Sequence, residues 1–234
     1  LEEGLPDYRI SEWKEQMYIL GNNRTFSEML DVFRGGSRCS VLVGYHGCKL
    51  LGYLSGYDRA ERGEETRELL ASLGAISAIT TAMGRHLEYP RVLAMGCYAI
   101  QAFSDGHERH TRMVVEAGGA EVISLVLKAW GAKNAEVAEF CIAGVATLSA
   151  DVEGAKRLGA AGAVEGVWQT MAAHLAEAKA EVQAYGCASL FRMTSDEANV
   201  RRLVGNPDAV SAVVEAMKKH ITVPLVLQTC GRLV

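Results

Sequence analysis

Between residues 208 and 219 the apolar side chains Val210, Val213, Val214 and Met217 fall at spacings of three and four. That spacing marks a helix that buries one face. The stretch closes on His220, and the same ending recurs at Met83 to His86 and at Met171 to His174. Preceding it are matching blocks, Gly74-Ala-Ile-Ser-Ala-Ile-Thr-Thr-Ala-Met83, Gly118-Gly-Ala-Glu-Val-Ile-Ser-Leu-Val-Leu127, Gly162-Ala-Val-Glu-Gly-Val-Trp-Gln-Thr-Met171 and Asp208-Ala-Val-Ser-Ala-Val-Val-Glu-Ala-Met217, at offsets of 44, 44 and 46 residues. A second apolar block starts at Val43, Val92, Val137, Val182 and Val226, offsets of 49, 45, 45 and 44, and carries Gly47-Cys, Gly96-Cys and Gly186-Cys. Two independent blocks therefore share one period. A helical unit of that length cannot bury its apolar face alone, so the units must stack into a continuous solenoid.

Each unit reads as three helices. Asp196 opens a short first helix by capping exposed N–H groups, Gly205-Asn-Pro-Asp208 ends it, residues 208–219 form the second, and a third starts near Val223. The cycle predicts helices at 64–73, 75–87 and 90–104, at 107–117, 119–130 and 134–149, and at 152–161, 163–174 and 179–194. The first unit is less regular, with helices expected at 11–20, 24–34 and 40–55. The charged stretch Tyr57-Asp-Arg-Ala-Glu-Arg-Gly-Glu-Glu65 then reads as a solvated connector that accounts for the longer first offset. One repeat domain spanning 1–234 is expected, with units at about 11–55, 64–104, 107–149 and 152–194 and a partial fifth at 196–234.

A Gly-Ala-Ile/Val block opening a second helix, followed by a third helix with Ala-x-Leu-x-x-Leu-like spacing, resembles the armadillo repeat over almost all of the chain after residue 10. The short first helix separates it from two-helix HEAT units. The resemblance implies an all-α, right-handed α-solenoid of about four complete repeats and part of a fifth, whose third helices line a concave, partner-binding groove. The chain departs from the peptide-binding pattern of the importin-alpha and beta-catenin type. Where those carry asparagine late in the third helix, this sequence has Tyr53, Ala102, Thr147 and Arg192; where they carry tryptophan, it has Lys49, Tyr98, Ala143 and Ala188, with Arg232 in the last unit. Without the amide ladder, repeated bidentate pairing to an extended peptide backbone is lost.

One turn further toward the helix starts, the inferred groove stripe runs Tyr45, Lys49, Tyr53; Ala94, Tyr98, Ala102; Glu139, Ala143, Thr147; Ala184, Ala188, Arg192. Tyr and Arg combine contact area with hydrogen bonding. Tyr45, Lys49, Tyr53, Tyr98 and Arg192 are therefore the candidate partner-binding residues. The small, Ala-lined half suits a helix or folded domain better than a basic extended peptide.

Composition narrows the function classes. A formal charge of −4 and a pI near 5.9 lack the basic footprint of a nucleic-acid binder, and no apolar run is long enough for a membrane span. With no signal-like start at Leu1-Glu-Glu-Gly-Leu-Pro-Asp, a cytoplasmic protein is expected, a nuclear or ciliary location being compatible. The absence of an initiator Met and an end partway through a third helix suggest a piece of a longer chain. An apolar end left open there would permit self-association. Cys48, Cys97 and Cys187 share one repeat position and Cys141 and Cys230 fall one residue earlier. A separation of about one helix diameter, ~10 Å, predicts buried free thiols rather than disulfides.

Chemical motifs are sparse. His86, His174 and His220, with Trp130 at the matching point, lie too far apart for one metal ion and are expected to face the carbonyls of helix C-termini. His107 and His110 share a helical face but are two donors only, so no metal site is assigned. The Gly159–Gly166 stretch lacks the strand and Lys-Ser/Thr of a phosphate loop. No catalytic residue and no cofactor are assigned. The expected function is a non-enzymatic scaffold binding protein partners through its groove. The alternatives are a structural subunit packing by edges or ends in a cytoskeletal or ciliary assembly and, last, a ligand-regulated solenoid.

Overall fold

A computed structural model of the chain describes residues 23–35, 40–56, 63–176 and 180–233. The helix expected at 11–20 and most of the connector after Tyr57 lie outside these residues. The elements are α1 (Asn23–Arg34), α2 (Val41–Ser55), α3 (Gly63–Ser72), α4 (Ala75–Arg85), α5 (Pro90–Ser104), α6 (Glu108–Glu116), α7 (Gly119–Val126), α8 (Ala135–Leu148), α9 (Val152–Ala160), α10 (Ala163–Ala173), α11 (Glu181–Met193), α12 (Glu197–Val204), α13 (Pro207–Lys219) and α14 (Pro224–Cys230). Among the described residues every regular element is helical, and no helix is long and apolar enough to cross a membrane.

Local chemistry sets these boundaries. Gly74, Gly118 and Gly162 stand at φ of 81°, 82° and 85°, a left-handed turn that lets a second helix fold back directly on the first and that a side chain would strain. The fourth copy lacks the glycine. There the Asn206 side chain accepts from Asp208 N and Pro207 occupies the first turn of α13. Side chains cap the other starts: Asp151 for α9, Asp196 for α12, Asn134 for α8 and Ser40 for α2.

The third helices form the spine, α2 packing on α5, α5 on α8, α8 on α11 and α11 on α14, and the second helices make a parallel row from α1 to α13. Leu51, Ile100, Ile123, Ile142, Val167 and Leu190 run through one unbroken core between the layers.

Three features depart from the sequence expectations. First, four of the cysteines form disulfides: Cys97 is bonded to Cys141 and Cys187 to Cys230, each with Cα atoms 4.9 Å apart, whereas Cys48 is buried and not disulfide-bonded, as expected. Helix diameter describes axis separation, whereas atoms on facing sides of packed helices come far closer. In both pairs a cysteine at the repeat position meets the one-residue-earlier cysteine of the next unit, and that offset turns the second thiol back toward the first. Because disulfides persist in oxidising compartments, the cysteines no longer argue for a reducing one.

Second, His86, His174 and His220 stand at the C-caps of α4, α10 and α13 through their backbone N–H groups, but their side chains are buried and, among the described residues, Nε2 of His86 and of His220 meets no hydrogen-bond partner. His174 Nε2 lies 2.8 Å from Gly131 O, and the matching Trp130 Nε1 donates to Leu87 O at 2.9 Å. These two bonds tie α10 and the turn that ends α7 to the ends of the preceding second helices. A five-residue π turn, Leu127–Gly131, continues α7 and carries Trp130 to that carbonyl.

Third, a buried polar position in the first helices answers the open carbonyls at the end of the preceding third helix. Arg67 Nε donates to Ser55 O at 2.7 Å, Thr111 Oγ1 to Ser104 O at 3.0 Å and Asn199 Nδ2 to Met193 O at 3.1 Å. Their equivalent in the fourth unit is Ala155, which is buried without a polar group.

Candidate partner-binding face

Four of the five sequence-chosen residues meet on the outer face of α2 and α5. Tyr53 and Tyr98 stack edge to face with centroids 5.6 Å apart, and Tyr98 continues to Phe140 on α8 at 5.4 Å. Lys49 Nζ lies over both Tyr45 and Tyr53, 5.7 and 5.8 Å from their centroids, and the Arg91 guanidinium covers Tyr45 from α5 at 5.2 Å. Three successive third helices thus share one ladder of rings and cations. Aromatic pairs of this geometry contribute roughly 0.5–1.5 kcal/mol beyond burial.

Tyr98 is the hinge of the ladder. Burial, reinforced by the neighbouring Tyr53, pushes its phenol up to about 12, so it stays a neutral hydroxyl on a face otherwise supplied with cations.

The fifth residue, Arg192, is not part of this group. It sits at the end of α11, where Nη1 donates to Ala146 O of α8. Its neighbours define a second patch: Phe191 is exposed beneath the Arg232 guanidinium at 5.7 Å, and Tyr185 is exposed about two turns before Arg192.

The predicted stripe needs correction at three of its alanines. Ala94, Ala143 and Ala184 are buried in the contacts between third helices, so they carry no groove surface. The side chains that reach the face are Phe140 and Tyr185, each one residue beyond the inferred positions 139 and 184. Arg91 and Phe191 were also missed, whereas Arg232 had been placed at the tryptophan position of the last unit. For Phe140, Tyr185 and Phe191 the signal was an aromatic residue one position off the stripe; Arg91 lies three residues before it.

His107 and His110, on one face as expected, are engaged by protein groups. Arg67, which is buried, hydrogen-bonds His107 Nε2, and His110 Nε2 lies 3.0 Å from Glu68 Oε2. Arg109 also bonds Glu68 and, more than any other cause, holds its carboxyl below the usual range. Burial pushes the His110 imidazole down against the opposing pull of Glu68. A guanidinium against one imidazole and a carboxylate shared with Arg109 make this an interlock between α3 and α6.

These stacked three-helix units and their outward third-helix face define an armadillo-like α-solenoid. No family model and no curated protein matches the chain. Among solved structures it is similar to a designed armadillo repeat protein, with TM-score 0.72 and 16% identity over 94% of this chain and 84% of that one. It is also similar to an engineered protein, with TM-score 0.62 and 15% identity over 88% and 96%. A third is a designed armadillo repeat protein in complex with the peptide (KR)4, with TM-score 0.60 and 16% identity over 89% and 85%.

Proposed function

We propose that this chain is a non-enzymatic scaffold that binds protein partners along the face of its third helices. The observation that carries the reading is the ladder Tyr45, Lys49, Tyr53, Tyr98 and Phe140, with Arg91 against its first ring. Rings and cations held against one another lose little entropy when a partner covers them. The similar designed protein bound to (KR)4 supports a peptide or protein as occupant of this fold. Here Lys49, Arg91, Arg192 and Arg232 line the face, so a basic peptide is a poor match and a helix or folded domain a better one.

A displayed library of helical and extended peptides, selected on this chain and re-screened on a variant with Tyr45, Lys49, Tyr53, Tyr98 and Arg192 all changed to Ala, tests the assignment. Binders that require the five side chains support it. Binders indifferent to them, on a variant whose circular dichroism is unchanged, overturn it.

A second reading has its own observation: Val204, Val210 and Ile221 are exposed apolar residues on the last unit, as expected of a surface that packs end-on. Sedimentation showing a monomer at high concentration would remove it.

A further inference from the structure

Two cavities open between successive second helices, one near each end of the row and at the same point of the repeat. The first, about 230 Å³, lies between α1 and α4 and is lined by Phe33, Arg34, Ser77, Ala78, Thr81 and Arg85. The second, about 220 Å³, lies between α10 and α13, with Trp168 and Leu175 on one wall and Asp208, Ser211 and Glu215 on the other. Ser211 and Glu215 hold the repeat positions of Ser77 and Thr81, so the two sockets are equivalent in the repeat. The charges are reversed. Among the described residues, two guanidiniums and two hydroxyls line the first, with no carboxylate, whereas two carboxylates line the second, with no cation.

The guanidiniums of the first socket are set in place by backbone from the opposite unit. Arg34 Nη2 donates to Leu73 O, and Arg85 Nη1 donates to Arg34 O at 3.3 Å. Asp31 stands 3.7 Å from Arg34 Nη1 but is highly exposed and does not line the cavity. Ser77, Thr81 and Arg85 follow one another at four-residue spacing and so present hydroxyl, hydroxyl and guanidinium along one face of α4. Phe33 and Ala78 supply an apolar floor.

We propose that this socket binds the phosphoryl group of a phosphorylated serine or threonine side chain on a partner protein. A phosphate monoester carries close to two negative charges and three acceptor oxygens, which matches two guanidiniums and two hydroxyls better than a single planar carboxylate does. The volume is below that of ordinary small-molecule sites, about 300–1,000 Å³. It suits one side chain inserted from outside, with its β-carbon against Phe33 and Ala78. The site is on the second-helix row and does not depend on the third-helix face.

The test is calorimetric titration of the whole chain with degenerate peptides bearing one fixed phosphoserine, then with the same peptides bearing serine or glutamate. Inorganic phosphate and a soluble inositol phosphate serve as further probes. Arg85→Gln and Thr81→Val are measured beside the parent after circular dichroism shows that each folds. Saturable binding of the phosphopeptides, weakened about ten-fold or more by Arg85→Gln and less by Thr81→Val, is the expected result. Equal binding of the serine or glutamate peptides, or no effect of either variant, overturns it. So does inorganic phosphate or the inositol phosphate binding as tightly as the phosphopeptide.

Discussion

A methyl group on Gly52 would sit 2.6 Å from the Tyr98 ring and 3.2 Å from Ala99 Cα, so the aromatic ladder exists because position 52 has no side chain. Gly52→Ala is expected to displace Tyr98, part it from Tyr53 and lower stability by about 1–3 kcal/mol, the usual cost of overpacking; urea melts of the two proteins measure it. Tyr98 also gives an alkaline signature. Its phenol is raised from 10 to about 12 in the folded chain, so folding favours the protonated form. The sign follows: this contribution is intact below pH 10 and is lost as pH rises from 10 toward 12. Tyrosinate absorbance should show one late-titrating residue, absent in Tyr98→Phe, and that variant should hold its fold to higher pH than the parent. If all tyrosines titrate together, the ring is not buried as described.

Between elements, the joints are made by polar side chains that meet backbone ends, and the α3–α6 interlock responds to acid. Burial lowers the His110 pKa and the Arg109 hydrogen bond lowers that of Glu68. Both groups are depressed in the folded state, so their contribution stands above the unfolded values and disappears as pH falls, first through the range below 6.5 set by His110. His110→Gln should flatten the melting temperature between neutral and mildly acidic pH, while the parent should lose several degrees there. At the same scale, His174→Leu leaves Gly131 O without its partner and is expected to cost about 1–3 kcal/mol, measurable by denaturant unfolding. These joints also mark the limit of what the sequence discloses. Helix ends were legible because Asp151, Asp196, Asn134 and the positive-φ glycines act within their own few residues. Tyr45, Lys49, Tyr53 and Tyr98 were legible because repeat position fixes the face of a helix. The bond from Trp130 to Leu87 spans a whole repeat and arises from a π turn that no local pattern announces. Ala94, Ala143 and Ala184 were misplaced because third helices converge most closely at small residues, so the accessible stripe moves by one position, onto Phe140 and Tyr185.

Across the whole molecule, the stack is quasi-one-dimensional, and such arrays open at their weakest interface. The period made the solenoid legible, but the distribution of strength along it follows from the disulfides. Cys97–Cys141 staples α5 to α8 and Cys187–Cys230 staples α11 to α14, closing loops of 44 and 43 residues; the chain-entropy treatment assigns each about 4 kcal/mol. Between them, α8 and α11 are joined without a covalent bond, by apolar packing, by Ser189 Oγ to Ile142 O at 3.4 Å and by Arg192 to Ala146 O. The oxidised protein should therefore behave as two stapled blocks meeting at that joint, with α2 packed against the first block but not stapled to it, since Cys48 is in no disulfide. Hydrogen exchange read by mass spectrometry should show the facing amides of α8 and α11 exchanging ahead of those between α5 and α8 and between α11 and α14. Reduction removes both staples, so the three interfaces should then converge in protection while overall stability drops. Non-reducing peptide maps must first recover the two cross-linked pairs. Uniform protection in the oxidised protein, or a pattern unchanged by reductant, would show that the staples do not govern how the solenoid opens. The outcome also bears on binding, because the α8–α11 joint separates the Tyr45 to Phe140 ladder from the Tyr185, Phe191 and Arg232 patch. A partner that spans both would have to hold that joint in one geometry, and its binding should slow exchange there more than anywhere else along the row.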